Sequence, residues 1–152
     1  TGNENPRTDS GFTYNPSSGT LTSTIFAGTA NQAKYADLAE NYLTDTSIIP
    51  GTVVCVGGDA EVTIANEDTE ILAGVISTNP AYLMNSAQEN GQPVALVGRV
   101  PVRVIGSVNK GDAVFADNGG VASKEASGPI VGVALESSSI TEEKLIECLL
   151  KV

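Results

Sequence analysis

From Ile48 onward, apolar residues come in short runs of Val, Ile, Leu and Ala, each bounded by Gly, Pro, Asn or Asp. Runs of this length and content predict β-strands rather than helices. The expected strands cover residues 52–56, 61–65, 71–77, 93–98, 100–104, 113–116, 120–123, 130–135 and 145–152. A repeat of about ten residues with turn signals between predicts a compact barrel or sandwich of short strands, an all-β fold. Pro101 falls between two of the runs and marks a bulge or a sheet edge, because proline has no N–H for a ladder. Gly57-Gly58-Asp59 and Asp117-Asn118-Gly119-Gly120 have hairpin-turn compositions.

An internal repeat runs through these strands. Gly51-Thr52-Val53-Val54-Cys55-Val56, a Gly-Gly turn and Ile71-Leu72-Ala73-Gly74-Val75-Ile76 form one copy. Gly111-Asp112-Ala113-Val114-Phe115-Ala116, a Gly-Gly turn and Ile130-Val131-Gly132-Val133-Ala134 form the other. Gly74 and Gly132 then predict a bulge or a close backbone crossing. Two like units of this kind can close on each other and hide their edges.

The first third of the chain has a different pattern. Residues 1–10 are polar and predict an extended arm. Phe12 and Tyr14 share one strand face, Asn15-Pro16-Ser17-Ser18-Gly19 is a turn by composition, and Leu21 to Phe26 is a Thr-rich strand. This is a hairpin signal. A lone hairpin is not stable in water, so it must pack on the domain behind it or on other copies of itself. Residues 29–43 admit two readings. Thr29 and Gln32 fit a capping box, with Ala36, Ala39 and Leu43 as a helical stripe. Read with period two, Tyr35, Asp37, Ala39 and Asn41 share one face and Ala36, Leu38, Glu40 and Tyr42 the other, an imperfect alternation. The expectation is a short helix or irregular connector. The chain thus divides into an arm and hairpin, 1–33, and a β-rich domain, 34–152.

Composition narrows the function. The chain has 152 residues, of which 41% are hydrophobic, enough for one domain with a core and an arm. With no Trp and 5% aromatic residues, that core is aliphatic. The net charge of −10 and the scattering of eight basic residues exclude a phosphate-binding surface, so no nucleic acid is expected. The same charge disfavours anionic membranes, and no run is long and apolar enough for membrane insertion. The absence of His removes Ser-His-Asp and Cys-His catalysis and His metal ligands. No metal site and no cofactor are expected. Cys55 and Cys148 each sit in an apolar strand pattern and read as unbonded core thiols. Glu61, Glu67, Asp68 and Glu70 lack the Asp/Asn/Gly pattern of a calcium loop and read as a solvated turn. Arg99 and Arg103 flank Pro101 on one strand face, placed to hold a carboxylate of a neighbouring subunit, such as that of Glu40, or to face solvent. Asn79-Pro80-Ala81-Tyr82-Leu83-Met84 reads as a turn outside any strand that caps the core or meets a subunit.

Two stretches carry a resemblance. Gly11-Phe12-Thr13-Tyr14-Asn15-Pro16-Ser17-Ser18-Gly19-Thr20-Leu21 through Phe26-Ala27-Gly28 resembles a short unit recurrent in tail fibres and appendages of tailed phages. Residues 35–152 resemble the C-terminal domain that follows such units, in the intramolecular-chaperone autocleavage (peptidase G2-like) family. The matching segments include Tyr35-Ala36-Asp37-Leu38-Ala39-Glu40, Ser77-Thr78-Asn79-Pro80, Gly98-Arg99-Val100-Pro101-Val102 and Gly132-Val133-Ala134-Leu135-Glu136. The resemblance implies a homotrimeric β domain that brings fibre chains into register. It also implies a location in the virion after assembly in the host cytoplasm, with other virion proteins as partners. A host-surface glycan or protein is a further partner to test.

In self-cleaving members a bond at the start of the domain is cut and nearby acidic residues are implicated; Asp37 and Glu40 occupy the matching place as the catalytic candidates. The family cuts after Ser, and this chain has Ala36, so an N-to-O acyl shift at that bond is excluded. Enzyme activity is accordingly limited to one-time autoproteolysis at most. The subunit interface expected from these readings uses Phe12, Tyr14, Tyr35, Tyr82, Arg99 and Arg103. Competing functions are a capsid decoration protein, which the C-terminal half also resembles, a single-turnover self-cleaving chaperone domain, and a glycan-binding tip.

Overall fold

The computed structural model describes residues 11–23, 25, 27 and 32–150. The chain splits into two compact units, Thr1–Gln32 and Ala33–Val152. In the first, β1 (Phe12–Asn15) and β2 (Thr20–Ser23) form an antiparallel hairpin in which Tyr14 faces Leu21. Asn15 closes the turn by accepting from the Ser17 N–H at 3.0 Å. The strand expected through Phe26 is described only as far as Ser23; Thr24 and Phe26, and most of the proposed capping box, lie outside the described residues.

The second unit is all-β, with β3 (Asp37–Tyr42), β4 (Val53–Val56), β5 (Val62–Ile64), β6 (Leu72–Ile76), β7 (Tyr82–Met84), β8 (Gln92–Val104), β9 (Ala113–Ala116), β10 (Ala122–Ser123), β11 (Ile130–Ala134) and β12 (Lys144–Leu150). Strands β8, β12, β11, β9 and β10 close into a five-stranded barrel, sealed by the parallel pairing of Val104 with Ala122. The outer strands repeat this arrangement. They run in the order β5–β4–β6–β8–β3, and the chain just past β3 returns to β5 through a parallel bridge from Thr44 to Val62.

The internal repeat is thus realised bond for bond. The Gly51 N–H donates to Ile76 O at 2.8 Å and Gly111 N–H to Ala134 O at 2.9 Å. Ile76 N–H returns to Thr52 O, and Ala134 N–H to Asp112 O, each at 2.9 Å. Ala73 and Val131 are each skipped in the ladder, giving matched bulges. Beside each bulge, Gly74 lies against the Ala95 carbonyl and Gly132 against that of Leu149, so neither site admits a side chain without moving backbone.

One strand belongs to both rings. The two runs expected on either side of Pro101 are a single strand, β8; its first half completes the first ring and its second half begins the barrel. Pro101 is tolerated because its missing N–H is on the side away from β12. On that side Arg99 N–H reaches Ala36 O at 3.1 Å, Arg103 N–H reaches Gly51 O at 2.8 Å, and nothing crosses between them.

Two expectations are corrected. Residues 37–42 form a strand, not a helix or connector, and they alternate buried and half-buried as the period-two reading requires. The alternation is obscured in the sequence because two of the three buried positions, Asp37 and Asn41, are polar. The segment read as a turn outside any strand contains β7, which pairs in parallel with β3 from Tyr82 opposite Leu38 to Met84 opposite Glu40. Three residues with one ladder partner are too few to leave a periodic signal.

The larger core cluster gathers Val75, Val100, Val102, Val104, Val114 and Val131 with both cysteines; a smaller one, Ile48, Val54, Val62, Ile76 and Val94, fills the first ring. Cys55 and Cys148 are free thiols in the larger cluster. Intact mass without reduction is expected to show both thiols, and a thiol reagent to label neither until the chain is unfolded. Prompt labelling of Cys148 in the native protein would contradict its burial.

Candidate functional site

Three segments far apart in sequence meet at the bare stretch of the β8 edge. They are the entry to β3 (Lys34 to Asp37), the exit from β6 (Ser77 to Asn79) and the middle of β8 (Arg99 to Pro101). With Glu147 of β12 they line a cleft of about 600 Å³. Along this edge of β8 the backbone pairing with the β3 segment stops at Arg99, whose N–H meets Ala36 O, and the next backbone partner is Gly51, whose O accepts from Arg103 N–H; the cleft lies between them.

The floor of the cleft is Asp37, 5% exposed. The Ser77 hydroxyl donates to its Oδ2 at 2.6 Å. The bonds on either side of the Asp37 Cα are held as well. Ala36 O accepts from Arg99 N–H, and Asp37 O accepts from Ala81 N–H at 2.9 Å. Opposite them is Gly98, with φ +114°, where a Cβ would collide with the Ala36 carbonyl. The local sequence is therefore constrained from two sides: glycine where the backbones touch, and a small hydroxyl where the carboxylate is buried.

Glu40, the second acidic candidate, is not at this site. Strand alternation sends it to the other face of β3, where its Oε2 accepts from the Tyr42 hydroxyl at 3.0 Å. Burial, the hydrogen bond to Glu40 and the charges of Glu40 and Glu61 all push the Tyr42 phenol upward from its ordinary value. Within one chain Asp37 and Glu40 do not form an acid–base pair.

The two arginines also separate in role. They share the outward face of β8 as expected, but Arg103 is engaged within its own chain. Its Nε and Nη2 donate to the Glu143 carboxylate at 2.7 and 2.9 Å, and Nη1 to Thr52 Oγ1 at 3.0 Å. That fork holds the Glu143 carboxyl below the usual range. Arg99 opens onto the cleft and makes no ion pair among the described residues. Lys34 lies over the Tyr35 ring at 5.4 Å. The remaining interface candidates are exposed in the single chain: Phe12 53%, Tyr14 63%, Tyr35 43% and Tyr82 66%. Ser77 is a site residue that the sequence did not single out. Its only signal was its place in the Ser-Thr-Asn-Pro segment, since nothing local links a residue after β6 to Asp37.

No family model and no curated protein matches the sequence. Solved structures do match. The crystal structure of the bacteriophage phi29 gene product 12 C-terminal fragment superposes with a TM-score of 0.58 at 16% identity, over 76% of this chain and 100% of the fragment. This is the fold of a phage C-terminal fragment. The pre-mature form of the same phi29 protein matches with a TM-score of 0.59 at 16% identity, over 88% of this chain. The chain spans 23% of that protein's length. The motif segments resembled a phage C-terminal domain, and the matched structure is a phage C-terminal fragment; the quoted segments from the start of β3, the exit of β6 and the middle of β8 build the cleft.

Proposed function

We propose that the protein is a structural and assembly module of a tailed-phage virion protein, a tail fibre or appendage, that trimerises and holds the fibre chains in register. The observation that carries this reading is the match to the entire length of a phage C-terminal fragment. Two further features support it. The hairpin leaves Phe12, Tyr14 and Leu21 exposed, an apolar group that a second copy would cover. The cleft presents Arg99, which makes no ion pair among the described residues, in a chain of net charge −10, so carboxylates of neighbouring copies are its natural complement. Of the two arginines, Arg99 is the stronger candidate for the interface, since Arg103 is already paired with Glu143 of its own chain. Light scattering is expected to give the mass of a homotrimer; a monodisperse monomer at micromolar concentration overturns the proposal.

Self-cleavage is the competing reading, because the Ala36–Asp37 bond lies at the cleft with a buried carboxylate beside it. Against it stand the missing hydroxyl at Ala36 and the placement of Asp37 and Glu40 on opposite faces of β3. On the structural reading, Asp37→Asn lowers the thermal midpoint and Glu40→Gln does so less, while the parent chain keeps its N-terminus. Loss of residues 1–36 from the parent alone, with both variants retaining midpoint and trimer mass, would establish the catalytic reading instead.

A further inference from the structure

Two asparagines are followed by glycine, Asn90-Gly91 and Asn118-Gly119. Glycine leaves its own amide nitrogen sterically open, which lets that nitrogen attack the preceding side chain. The two sites have opposite surroundings. The Asn118 Nδ2 donates to Glu67 Oε1 at 3.0 Å, and the Asn118 N–H is held by Asp117 at 2.7 Å. Glu67 is itself fixed by the Ser127 hydroxyl, at 3.4 Å. Asn90 is exposed, has a left-handed φ of +59°, and its side chain makes no hydrogen bond among the described residues. Among the described residues, the Gly91 N–H that would attack is held only by a long bond to Gln88 O, at 3.4 Å.

We infer that Asn90 is a site of spontaneous deamidation and backbone isomerisation, and that the fold protects Asn118. The Gly91 nitrogen, having lost its proton to base, forms a bond to Asn90 Cγ. The Cγ–Nδ2 bond breaks, and ammonia leaves with a proton from solvent. Water then opens the resulting succinimide at one carbonyl or the other, giving aspartate or isoaspartate; no oxidant or cofactor enters. Isoaspartate inserts one extra methylene into the main chain just ahead of β8. Two residues on, Gln92 ties the connector between β3 and β4 to that strand. Its Oε1 accepts from Thr44 Oγ1 at 2.9 Å and Ile48 N–H at 2.8 Å, and its Nε2 donates to Ile48 O at 2.7 Å. Lengthening the chain at residue 90 displaces this clamp.

The test is incubation of the full chain at mildly alkaline pH over days, with peptide mapping by mass spectrometry and enzymatic detection of isoaspartate. Asn90 is expected to convert roughly tenfold faster than Asn118, a ratio equivalent to about 1.4 kcal/mol, comparable to one hydrogen bond to a carboxylate. In denaturant the two sites should react alike. Equal rates in the folded chain, or the same ratio persisting in denaturant, would overturn the inference. Asn90→Asp should show greatly slowed isoaspartate formation at this position and keep the parent's midpoint, whereas isoaspartate-bearing protein should melt lower. An unchanged midpoint in that fraction would overturn the part assigned to Gln92.

Discussion

Gly98→Ala is expected to destabilise the protein by about 3–4 kcal/mol, the combined scale of left-handed strain and of forcing extra atoms into a packed contact. The methyl group would be driven into the Ala36 carbonyl and toward the Asp37 Cα, both of them backbone atoms that no rotamer change can move aside. The strand that yields is β3, and with it the Ser77–Asp37 bond at the base of the cleft. Gly106→Ala is the control. Gly106 has φ +81° and nothing within 4 Å of the added carbon, so it isolates the conformational cost, about 1–2 kcal/mol. Urea melts of the two variants measure the difference. Equal losses would mean that β3 can draw back from β8 at little cost.

The second large effect lies at alkaline pH. Burial, with smaller contributions from the Glu147 and Glu136 charges, pushes the Cys148 thiol up from 9.0 to about 12. In the unfolded chain the thiol loses its proton near its ordinary value, while in the folded chain it keeps it. Above about pH 9 the unfolded state therefore binds fewer protons and stability falls with rising pH, until the folded thiol titrates as well. Below pH 9 this contribution is fully present. The full swing is on the order of 4 kcal/mol, because a tenfold change in proton affinity corresponds to about 1.4 kcal/mol. Denaturation midpoints from neutral to strongly alkaline pH should show the decline, and Cys148→Ala should flatten it while starting from lower stability. An identical alkaline slope in that variant would assign the decline to other groups.

The architecture was legible wherever apolar runs were bounded by turn residues, because strands such as β4 and β6 bury or half-bury most of those runs. The repeat was legible through its glycines: Gly74 and Gly132 sit where backbones cross, and Gly51 and Gly111 make the matching hydrogen bonds that open each copy. Strand β3 was not legible as a strand, since Asp37 is buried through a partner forty positions away, Ser77. The site followed the same logic. Resemblance pointed to Asp37 and Glu40 together, but their separation depends on strand parity, and the pairing of Arg103 with Glu143 depends on a contact across 40 positions. Such pairings become visible only when the sheet order is known.

The single strand β8 has a mechanical consequence. Two modules joined by a flexible tether can be stretched apart, nicked between, or folded one at a time. Here the join is itself a core strand of both rings, so tension applied to one ring enters the other along covalent backbone flanked by hydrogen-bonded neighbours. No exposed linker offers a protease a cut that separates them. A ribosome releasing this chain also delivers the first ring's closing strand and the barrel's opening strand in one stroke, so the barrel starts on the strand that finishes the first ring.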